Sequence, residues 1–368
     1  MKDEVKNRIW EAVSAYGWTE VLKEAAVYGS GHINDTYLLI LSDRNVILQR
    51  MNRRVFARPE ELMENIIGVT SHLRKKILER GGNPDRETLN LIPSAAGKQY
   101  YVDSAGEYWR AYQFITDASS YDQVRKEDDF YQSGWAFGNF QCLLADYPIE
   151  TLHETIVGFH DTRARFETFY QAVQEDVCHR AASVRDEIAF VLAREEITDV
   201  FQNMRDRGEI PLRVTHNDTK LNNVMIDNQT GRGLCVIDLD TVMPGLAVND
   251  FGDSVRFGAS TAAEDEKDLS KVSCDLQLFE AYAKGFLAGC QGKLTPKEVE
   301  LLPMGAKMMT FECGMRFLTD YLQGDHYFKI HRENHNLDRC RTQFKLVWDM
   351  EKKWNKMEEL ANKCQNAE

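Results

Sequence analysis

The fold is decided by the stretch His216-Asn217-Asp218-Thr219-Lys220-Leu221-Asn222-Asn223, which is followed by Val236-Ile237-Asp238-Leu239-Asp240. Two short β-like runs, 224–226 and 234–237, flank a Gly-rich turn and hold the two motifs at a fixed separation. Each motif alone is common, because Asn-Asp-Thr runs often form turns or helix caps and an Asp often ends a strand. The combination is specific, and it predicts that the two motifs form one site.

The residue types in this pattern suit phosphoryl transfer. Transfer from a magnesium-bound nucleoside triphosphate needs a carboxylate that takes the proton of the attacking hydroxyl and a cation near the transferred group. Asp218 suits the first role and Lys220 the second. Asn223 and Asp238 supply the oxygen ligands that Mg²⁺ prefers. We predict that Asp218 and Lys220 are catalytic and that Asn223 and Asp238 hold the metal.

Two further residues of this region are expected to support the loop rather than to react. Asp250 opens Asp250-Phe251-Gly252, which spells the magnesium motif of protein kinases, but it follows a Pro-Gly loop rather than a strand. A buried carboxylate near the loop amides would be satisfied by them, so a structural role is expected for Asp250. His216 is expected to pack and to hydrogen-bond in the same structural way.

Strand and helix signals divide the chain into two parts. Extended patterns at 34–41 and 46–49, and further candidates at 89–92, 99–102 and 107–115, make the first part rich in strands, with one helix from Pro59 to about Arg80. Helices are predicted afterwards over 127–145, 160–175 and 181–206, and again from a capping box at Thr295 and Glu298. The pattern predicts an α+β, two-lobe fold with a β-rich N-terminal lobe over 1–115 and a mainly α-helical C-terminal lobe over 116–368. The site is expected in the cleft between the lobes.

Composition narrows the function classes. The 368 residues include 45 Lys+Arg and 58 Asp+Glu, a net charge of −13, which disfavours nucleic acid and anionic membrane as partners. None of the eight cysteines forms a C-x-x-C pair, so free thiols in a reducing compartment are expected. The first residues lack an apolar signal core, and no apolar run approaches the length of a membrane span. We expect a cytoplasmic protein without an obligate protein partner.

Longer strings resemble those of N-acetylhexosamine 1-kinases, in the aminoglycoside phosphotransferase and choline kinase branch of the protein-kinase-like fold. The strings are Gly29-x-Gly31-His32-Ile33-Asn34-x-Thr36-Tyr37, 213–223, Ile237-Asp238-Leu239-Asp240-Thr241 with Pro244-Gly245, Asp250-Phe251-Gly252-Asp253, Arg256-Phe257-Gly258-Ala259-Ser260-Thr261 and Glu312-Cys313-Gly314-Met315-Arg316-Phe317-Leu318. The resemblance covers most of the chain and implies ATP- and Mg²⁺-dependent phosphorylation of the anomeric hydroxyl of GlcNAc or GalNAc to the 1-phosphate, as in amino-sugar and lacto-N-biose catabolism. The sequence distinguishes neither the two sugars nor ATP from GTP.

The nucleotide end of the site has one departure from protein kinases. The Gly-rich turn could let the backbone approach phosphates, although most such turns are plain hairpins. Gln49 stands in or near the slot of the phosphate-binding strand lysine, so Arg50 or Lys220 must supply the charge, or Mg²⁺ holds the nucleotide. Glu61 and Glu64 are candidates for that lysine's acidic partner and are expected to be solvated. The stretch 113–115 resembles the hinge that pairs with adenine. The predicted nucleotide-binding residues are Gly29, Ser30, Gly31, Gln49, Arg50, Gln113 and Ile115.

The acceptor end is predicted on one helical face. Glu312, Arg316 and Asp320 recur at i, i+4 and i+8 in an apolar stretch, which fits either a solvated charge ladder or a buried polar stripe. The resemblance favours Arg316 and Tyr327 as sugar contacts and adds His32 as a further candidate. The predicted substrate residues are His32, Glu312, Arg316 and Tyr327.

Two other functions stay open at this point. The first is a kinase for another small hydroxyl acceptor, such as an aminoglycoside, choline or a different sugar. The second is a nucleotide-binding pseudokinase, which the Gln at the lysine slot favours. The intact Asp218, Asn223 and Asp238 argue against the pseudokinase, because a pure binder has no use for a base.

Overall fold

The computed structural model describes residues 3–29 and 33–365. The strands are β1 (Leu22–Val27), β2 (Asp35–Leu41), β3 (Asn45–Arg50), β4 (Tyr101–Val102), β5 (Tyr108–Gln113), β6 (Ala118–Ser119), β7 (Arg213–Thr215), β8 (Val224–Asp227), β9 (Gly233–Val236) and β10 (Met243–Gly245). The helices are α1 (Asp3–Ala15), α2 (Pro59–Glu79), α3 (Pro84–Glu87), α4 (Glu127–Leu143), α5 (Thr162–Glu175), α6 (Arg185–Leu192), α7 (Val200–Asp206), α8 (Ala247–Gly258), α9 (Leu276–Cys290), α10 (Pro296–Glu300), α11 (Leu302–Gln323), α12 (His335–Lys352) and α13 (Trp354–Gln365).

An antiparallel five-stranded sheet in the order β1-β2-β3-β5-β4 forms the N-terminal part. Its strands alternate, so Leu39, Leu48 and Trp109 share one face and pack in a core with Ile9 and Val13 of α1. The opposite face carries polar as well as apolar side chains and turns toward the helical part of the chain. This second face of the sheet therefore lines the site on its N-terminal side.

Helix α2 connects the sheet to the rest of the molecule. It begins at Pro59, whose fixed φ suits a first helical position, and it buries Leu62 and Ile66 in the large core shared with α4. The Asn65 side chain donates to the carbonyl oxygens of His153 (2.8 Å) and Val242 (3.2 Å). The helix thus packs on the C-terminal core although it lies before position 115 in the sequence, and the lobe boundary at 115 stays a prediction.

Close helix crossings build the C-terminal part. Where α4 meets α9, the glycines at 134, 138, 285 and 289 face the partner helix, and a Cβ on Gly138 would lie 2.1 Å from the Phe286 carbonyl oxygen. At the α8–α11 crossing a Cβ on Gly252 would lie 2.2 Å from the Gly305 carbonyl oxygen. Only glycine permits backbones this close. The second crossing fixes α8, which carries Asp250, beside the catalytic loop.

The strands confirm the mixed fold with a β-rich N-terminal region and a helical C-terminal region. The capping box predicted at Thr295 and Glu298 is present at the start of α10. All eight cysteines are free thiols, as predicted. Among residues 3–29 and 33–365, no helix is both long and apolar enough to cross a membrane.

Two details of the helix prediction are wrong. The single helix expected over 181–206 is two short helices, α6 and α7, with a 3₁₀ segment between them. The chain turns at Arg194, whose guanidinium donates back to the Phe190 carbonyl and pairs with Glu351. Helix α8 was also missed, because Gly252 and Gly258 lower the local helix propensity. Close packing of Gly252 on α11 and of Gly258 on Phe130 of α4 compensates for this.

Candidate active site

The loop 216–223 lies between β7 and β8, and its conformation depends on Asn217. This residue adopts a left-handed conformation (φ 64°), which Asn tolerates better than most non-glycine residues. Its side chain is buried, donates to the Thr241 carbonyl oxygen (2.8 Å) and accepts from the Thr215 hydroxyl (3.0 Å). The tight turn at Asn217 presents Asp218 to the cleft.

Asp218, Lys220 and Asn223 converge, as the sequence predicted. Lys220 Nζ lies 2.6 Å from Asp218 Oδ1, and Asn223 Nδ2 lies 2.8 Å from the Asp218 carbonyl oxygen and 3.2 Å from Oδ2. Burial opposes ionisation of Asp218, but the charge of Lys220 outweighs it and holds the pKa of the carboxyl below its ordinary value. Burial likewise opposes the charge of Lys220, while Asp218 and Asp253 raise the pKa of its ammonium. Asp218 is therefore ionised and oriented.

Asp238 follows β9 and joins the same site. It also adopts a left-handed conformation (φ 60°), which costs free energy for a non-glycine residue and is typical of functional sites. Desolvation by the surrounding protein, then the negative charges of Asp240 and Asp218, raise the pKa of its carboxyl to about 6. The preceding residue, Ile237, donates its backbone N–H to the Asn223 carbonyl oxygen (2.9 Å), so Asp238 lies next to the catalytic loop.

The donor set fits a magnesium ion that also binds phosphates. Within the described part of the chain, no group of three His, Cys, Asp or Glu side chains is arranged to hold a metal by itself. Mg²⁺ usually takes one or two protein carboxylates and fills its shell with water and substrate phosphates. Asp238 and the Asn223 amide match that minimal set, and the accumulated negative charge at Asp238 favours a cation there.

Helix α8 holds the catalytic loop in place. Both Asp250 carboxylate oxygens accept backbone N–H groups, from His216 (2.9 Å) and Asn217 (2.8 Å), and Gln141 donates a third bond (2.9 Å). One helical turn further on, Asp253 accepts the Thr219 N–H (3.0 Å). The structural role predicted for Asp250 is confirmed. The part played by Asp253 was missed, although the i, i+3 spacing of the two acids was visible.

His216 also has the structural role that was predicted. Its fully buried ring lies edge-on to Phe137 and Phe140, and Nε2 hydrogen-bonds the Ile237 carbonyl oxygen at 2.9 Å. The Thr241 hydroxyl donates to the His216 carbonyl oxygen (2.6 Å). These contacts tie the loop to the segment that carries Asp238, so both motifs move as one unit.

The predicted nucleotide-side residues are separated by the structure. Gly29 lies at the start of the Gly-rich turn with φ 79°, while Ser30, Gly31 and His32 lie outside the described residues. Arg50 pairs with Asp35 at the end of the neighbouring strand. Gln113 ends β5, and buried Ile115 follows it where the chain leaves the sheet. Gln49 hydrogen-bonds Thr36 (3.0 Å) and Arg110 (3.0 Å) on the face of the sheet that turns toward the site.

Glu312 is buried and fully engaged within the C-terminal part. Its carboxylate accepts the Thr162 hydroxyl (2.6 Å) and pairs with His160 Nδ1 (2.9 Å), whose Nε2 contacts the Asn217 carbonyl oxygen (3.1 Å). Burial opposes the charge of both groups. Their mutual attraction nevertheless places the pKa of His160 above, and that of Glu312 below, the ordinary value. The structure therefore places Glu312 behind the catalytic loop, connected to it through His160.

Arg316 and Tyr327 meet at an aromatic wall. Arg316 donates to the Tyr327 hydroxyl (3.3 Å), and its guanidinium lies 5.5–5.7 Å from the ring centres of Phe159, Tyr327 and Phe328. The loop that carries Tyr327 is fixed by Asp320, which accepts the backbone N–H groups of residues 326–328. In the predicted stripe, Glu312 is hydrogen-bonded within the protein, Arg316 is a cation at the aromatic wall, and Asp320 fixes the loop that carries Tyr327.

A second guanidinium in this region was not predicted. Burial and the charge of Arg316 lower the pKa of Arg165. Both guanidinium groups lie at Phe159: Arg165 donates to its carbonyl oxygen (3.1 Å), and Arg316 lies 5.7 Å from its ring centre. The Nε of Arg165 has no hydrogen-bond acceptor among the described residues. No sequence pattern indicated this residue, because it lies on α5, far from α11 in the chain.

A cavity of about 520 Å³ opens beside the catalytic loop. Leu221 of the loop, Arg256 of α8 and Gln343 of α12 are among its lining residues. Arg256 is paired with Asp253 and Glu264, whereas the buried Oε1 of Gln343 has no donor among the described residues. The volume falls in the range of small-molecule sites.

Comparison with known proteins gives the family. The profile of the phosphotransferase enzyme family matches residues 24–283, so the chain belongs to this family. An aminoglycoside phosphotransferase from Alicyclobacillus acidocaldarius is similar in structure with a TM-score of 0.62, 13% identity and 96% of each chain covered. A microcompartment-associated aminopropanol kinase is similar with a TM-score of 0.57 and 15% identity, and the match covers 96% of this chain and 98% of that one. A choline kinase from Cryptosporidium parvum is similar with a TM-score of 0.56 and 13% identity, and the match covers 96% of this chain and 97% of that one. At these identities the likeness concerns the fold.

Proposed function

We propose that this phosphotransferase transfers the γ-phosphate of ATP to the anomeric hydroxyl of an N-acetylhexosamine, giving the 1-phosphate and ADP. The observation that carries the proposal is the cluster of Asp218, Lys220 and Asn223 in one loop. Hydrogen bonds between Ile237 and the loop residues His216 and Asn223 hold Asp238 beside this loop. Spectinomycin phosphotransferase, a structural neighbour with a TM-score of 0.56, has been solved with ADP, which supports nucleotide use.

The chemistry follows from the placement of these groups. Asp218 is ionised and accepts the proton of the O1 hydroxyl, while that oxygen bonds to the γ-phosphorus and the bond to the ADP oxygen breaks. Lys220 lies beside Asp218 and neutralises charge on the transferred group. Asn223 and Asp238 would hold Mg²⁺, which screens the negative charge of the phosphates when it is bound.

The acceptor side favours a neutral sugar over a cationic alcohol. Arg165 and Arg316 place two positive charges near the aromatic wall, and a quaternary ammonium or an aminoglycoside would be repelled there. An N-acetyl group offers a carbonyl oxygen that a guanidinium can bind, and an aromatic ring can pack against the sugar face. The predicted contacts Arg316 and Tyr327 lie together at this wall and fit that acceptor.

One incubation series tests the proposal. The protein is mixed with ATP, Mg²⁺ and in turn GlcNAc, GalNAc, glucose, choline or an aminoglycoside, and ADP release is followed. The phosphorylated carbon is then identified by NMR. We expect turnover with an N-acetylhexosamine and phosphate on C1. Turnover restricted to choline or to an aminoglycoside would overturn the acceptor assignment, and absence of turnover with all acceptors would favour the pseudokinase.

A further inference from the structure

Arg110 lies on β5, directly opposite Gln49 of β3 in the sheet register. Its buried guanidinium projects from the face of the sheet that turns toward the site. Nε donates to Gln49 Oε1 (3.0 Å), and Nη2 forms an ion pair with Asp240 Oδ1 (2.6 Å). The guanidinium also lies 5.3 Å from the ring centre of Tyr112. A permanent cation therefore stands next to the position where a strand lysine is missing.

The other candidate cations are committed elsewhere. Arg50 pairs with Asp35, and Lys220 pairs with Asp218 within the catalytic loop. The acids considered as partners of a strand lysine are engaged as well: Glu61 pairs with Arg58, and Glu64 contacts His153 at the surface. Among the described residues, none of these groups forms a hydrogen bond or an ion pair with Gln49. Arg110 with Asp240 is the acid–base pair that occupies this place.

One nitrogen of Arg110 points to a ligand. Nη1 is sealed from solvent and has no acceptor among the described residues. A buried donor left unpaired costs about 1–3 kcal/mol, so a native protein rarely keeps one without a function. The planar fork of a guanidinium matches phosphate oxygens, and its charge-assisted bonds are stronger than neutral ones.

The ion pair with Asp240, two residues after Asp238, holds Arg110 next to the metal-binding segment. Burial opposes the charge of Arg110, but Asp240, and to a smaller degree Asp238, outweigh burial and hold its pKa above the ordinary value. The second oxygen of Asp240 accepts the Asn34 side chain (2.6 Å), just after the Gly-rich turn. Asp240 therefore connects Asn34, the Arg110 cation and the metal-binding segment.

We propose that Arg110 is the phosphate-binding cation of this chain, with Nη1 donating to a phosphate oxygen of the nucleotide and Asp240 serving as its acidic partner. The pair replaces the lysine of the third strand and the glutamate of the helix used by protein kinases. The inference rests on the nucleotide use proposed above, but not on the identity of the acceptor.

The test compares a ligand with phosphates and one without. The dissociation constants of ATP with Mg²⁺ and of adenosine are measured by calorimetry in the absence of any acceptor. Arg110→Gln is expected to lower the preference for ATP over adenosine by roughly 10- to 100-fold, the value of one or two charge-assisted hydrogen bonds. A purely structural Arg110 would weaken both ligands by the same factor, and that result overturns the proposal.

Three further variants make the result decisive. Arg44→Gln removes an exposed cation in the turn between β2 and β3 and should leave the preference unchanged. The double variant Gln49→Lys with Arg110→Gln returns the cation to the strand position of protein kinases and is expected to restore most of the preference for ATP over adenosine. If the single and the double variant both fold but the double variant still lacks this preference, the result counts against the proposal. If Arg110→Gln does not fold, Arg110→Gln with Asp240→Asn removes both charges, and it should still lose the preference. A wild type that binds ATP no more tightly than adenosine would refute nucleotide use itself, a separate outcome.

Discussion

The left-handed conformation of Asn217 can be tested by two substitutions at one position. Asn217→Gly and Asn217→Ala both remove the side chain and its hydrogen bonds to Thr241 and Thr215. Glycine adopts the left-handed conformation freely, whereas alanine pays for its Cβ. The pair therefore separates the loss of the hydrogen bonds from the strain in the backbone.

The magnitudes follow from these contacts. Two neutral, buried hydrogen bonds are worth about 2 kcal/mol of unfolding free energy, and both variants lose them. Left-handed strain costs alanine about 1–2 kcal/mol, while the freedom of glycine in the unfolded chain costs that variant about 0.5–1 kcal/mol. Asn217→Ala is thus expected to be less stable than Asn217→Gly by about 0.5–1 kcal/mol.

Urea unfolding measures the order of the two variants. At an exposed helical site the order is reversed, because alanine favours the helix by about 1 kcal/mol. Lys75, in the C-terminal part of α2, supplies this control as Lys75→Ala and Lys75→Gly. We also expect kcat to fall more in Asn217→Ala, since Asp218 is the next residue. An Asn217→Ala protein as stable as Asn217→Gly or more so would refute the requirement for this conformation.

Three other predictions concern the surroundings of the site. Gly252→Ala should lower the unfolding free energy by about 1–3 kcal/mol in urea, since its Cβ would lie 2.2 Å from the Gly305 carbonyl oxygen; an unchanged midpoint would contradict the tight crossing. Because the pKa of His160 lies above its ordinary 6.5, the stability from its pair with Glu312 is full below pH 6.5 and is lost as pH rises through the folded pKa. Wild type should therefore lose stability relative to His160→Gln as the pH rises above 6.5, and a constant difference would disprove the linkage. Arg316→Gln should raise the KM of the acceptor about tenfold with the KM of ATP unchanged; an effect on ATP alone would move Arg316 out of the acceptor pocket.

The sequence was most informative where the residues of the site lie together in one short segment of the chain. Asp218, Lys220 and Asn223 lie within six positions, so a loop and a hairpin suffice to bring them together. Asp250 could be assigned a structural role because a Pro-Gly loop, not a strand, precedes it. In both cases local sequence already contains most of the geometry.

Groups brought in by tertiary packing could not be found in this way. Arg110 meets Gln49 through sheet register, and His160 meets Glu312 through the packing of α5 near α11. Helix α8 was missed because the glycine that lowers its propensity is also the one that lets it approach α11. Sequence patterns report local preference, whereas these features depend on contacts between distant segments.

The central claim assigns different roles to the carboxylates of Asp218 and Asp238. It is tested most directly by measuring both the turnover of an N-acetylhexosamine and the dissociation constant of Mg²⁺–ATP in Asp218→Asn and Asp238→Asn. We expect Asp218→Asn to lose turnover by about a thousandfold while it binds Mg²⁺–ATP within a few-fold of wild type, and Asp238→Asn to lose Mg²⁺–ATP affinity by about tenfold or more. Near-normal turnover in Asp218→Asn, or unchanged Mg²⁺–ATP affinity in Asp238→Asn, would contradict the account.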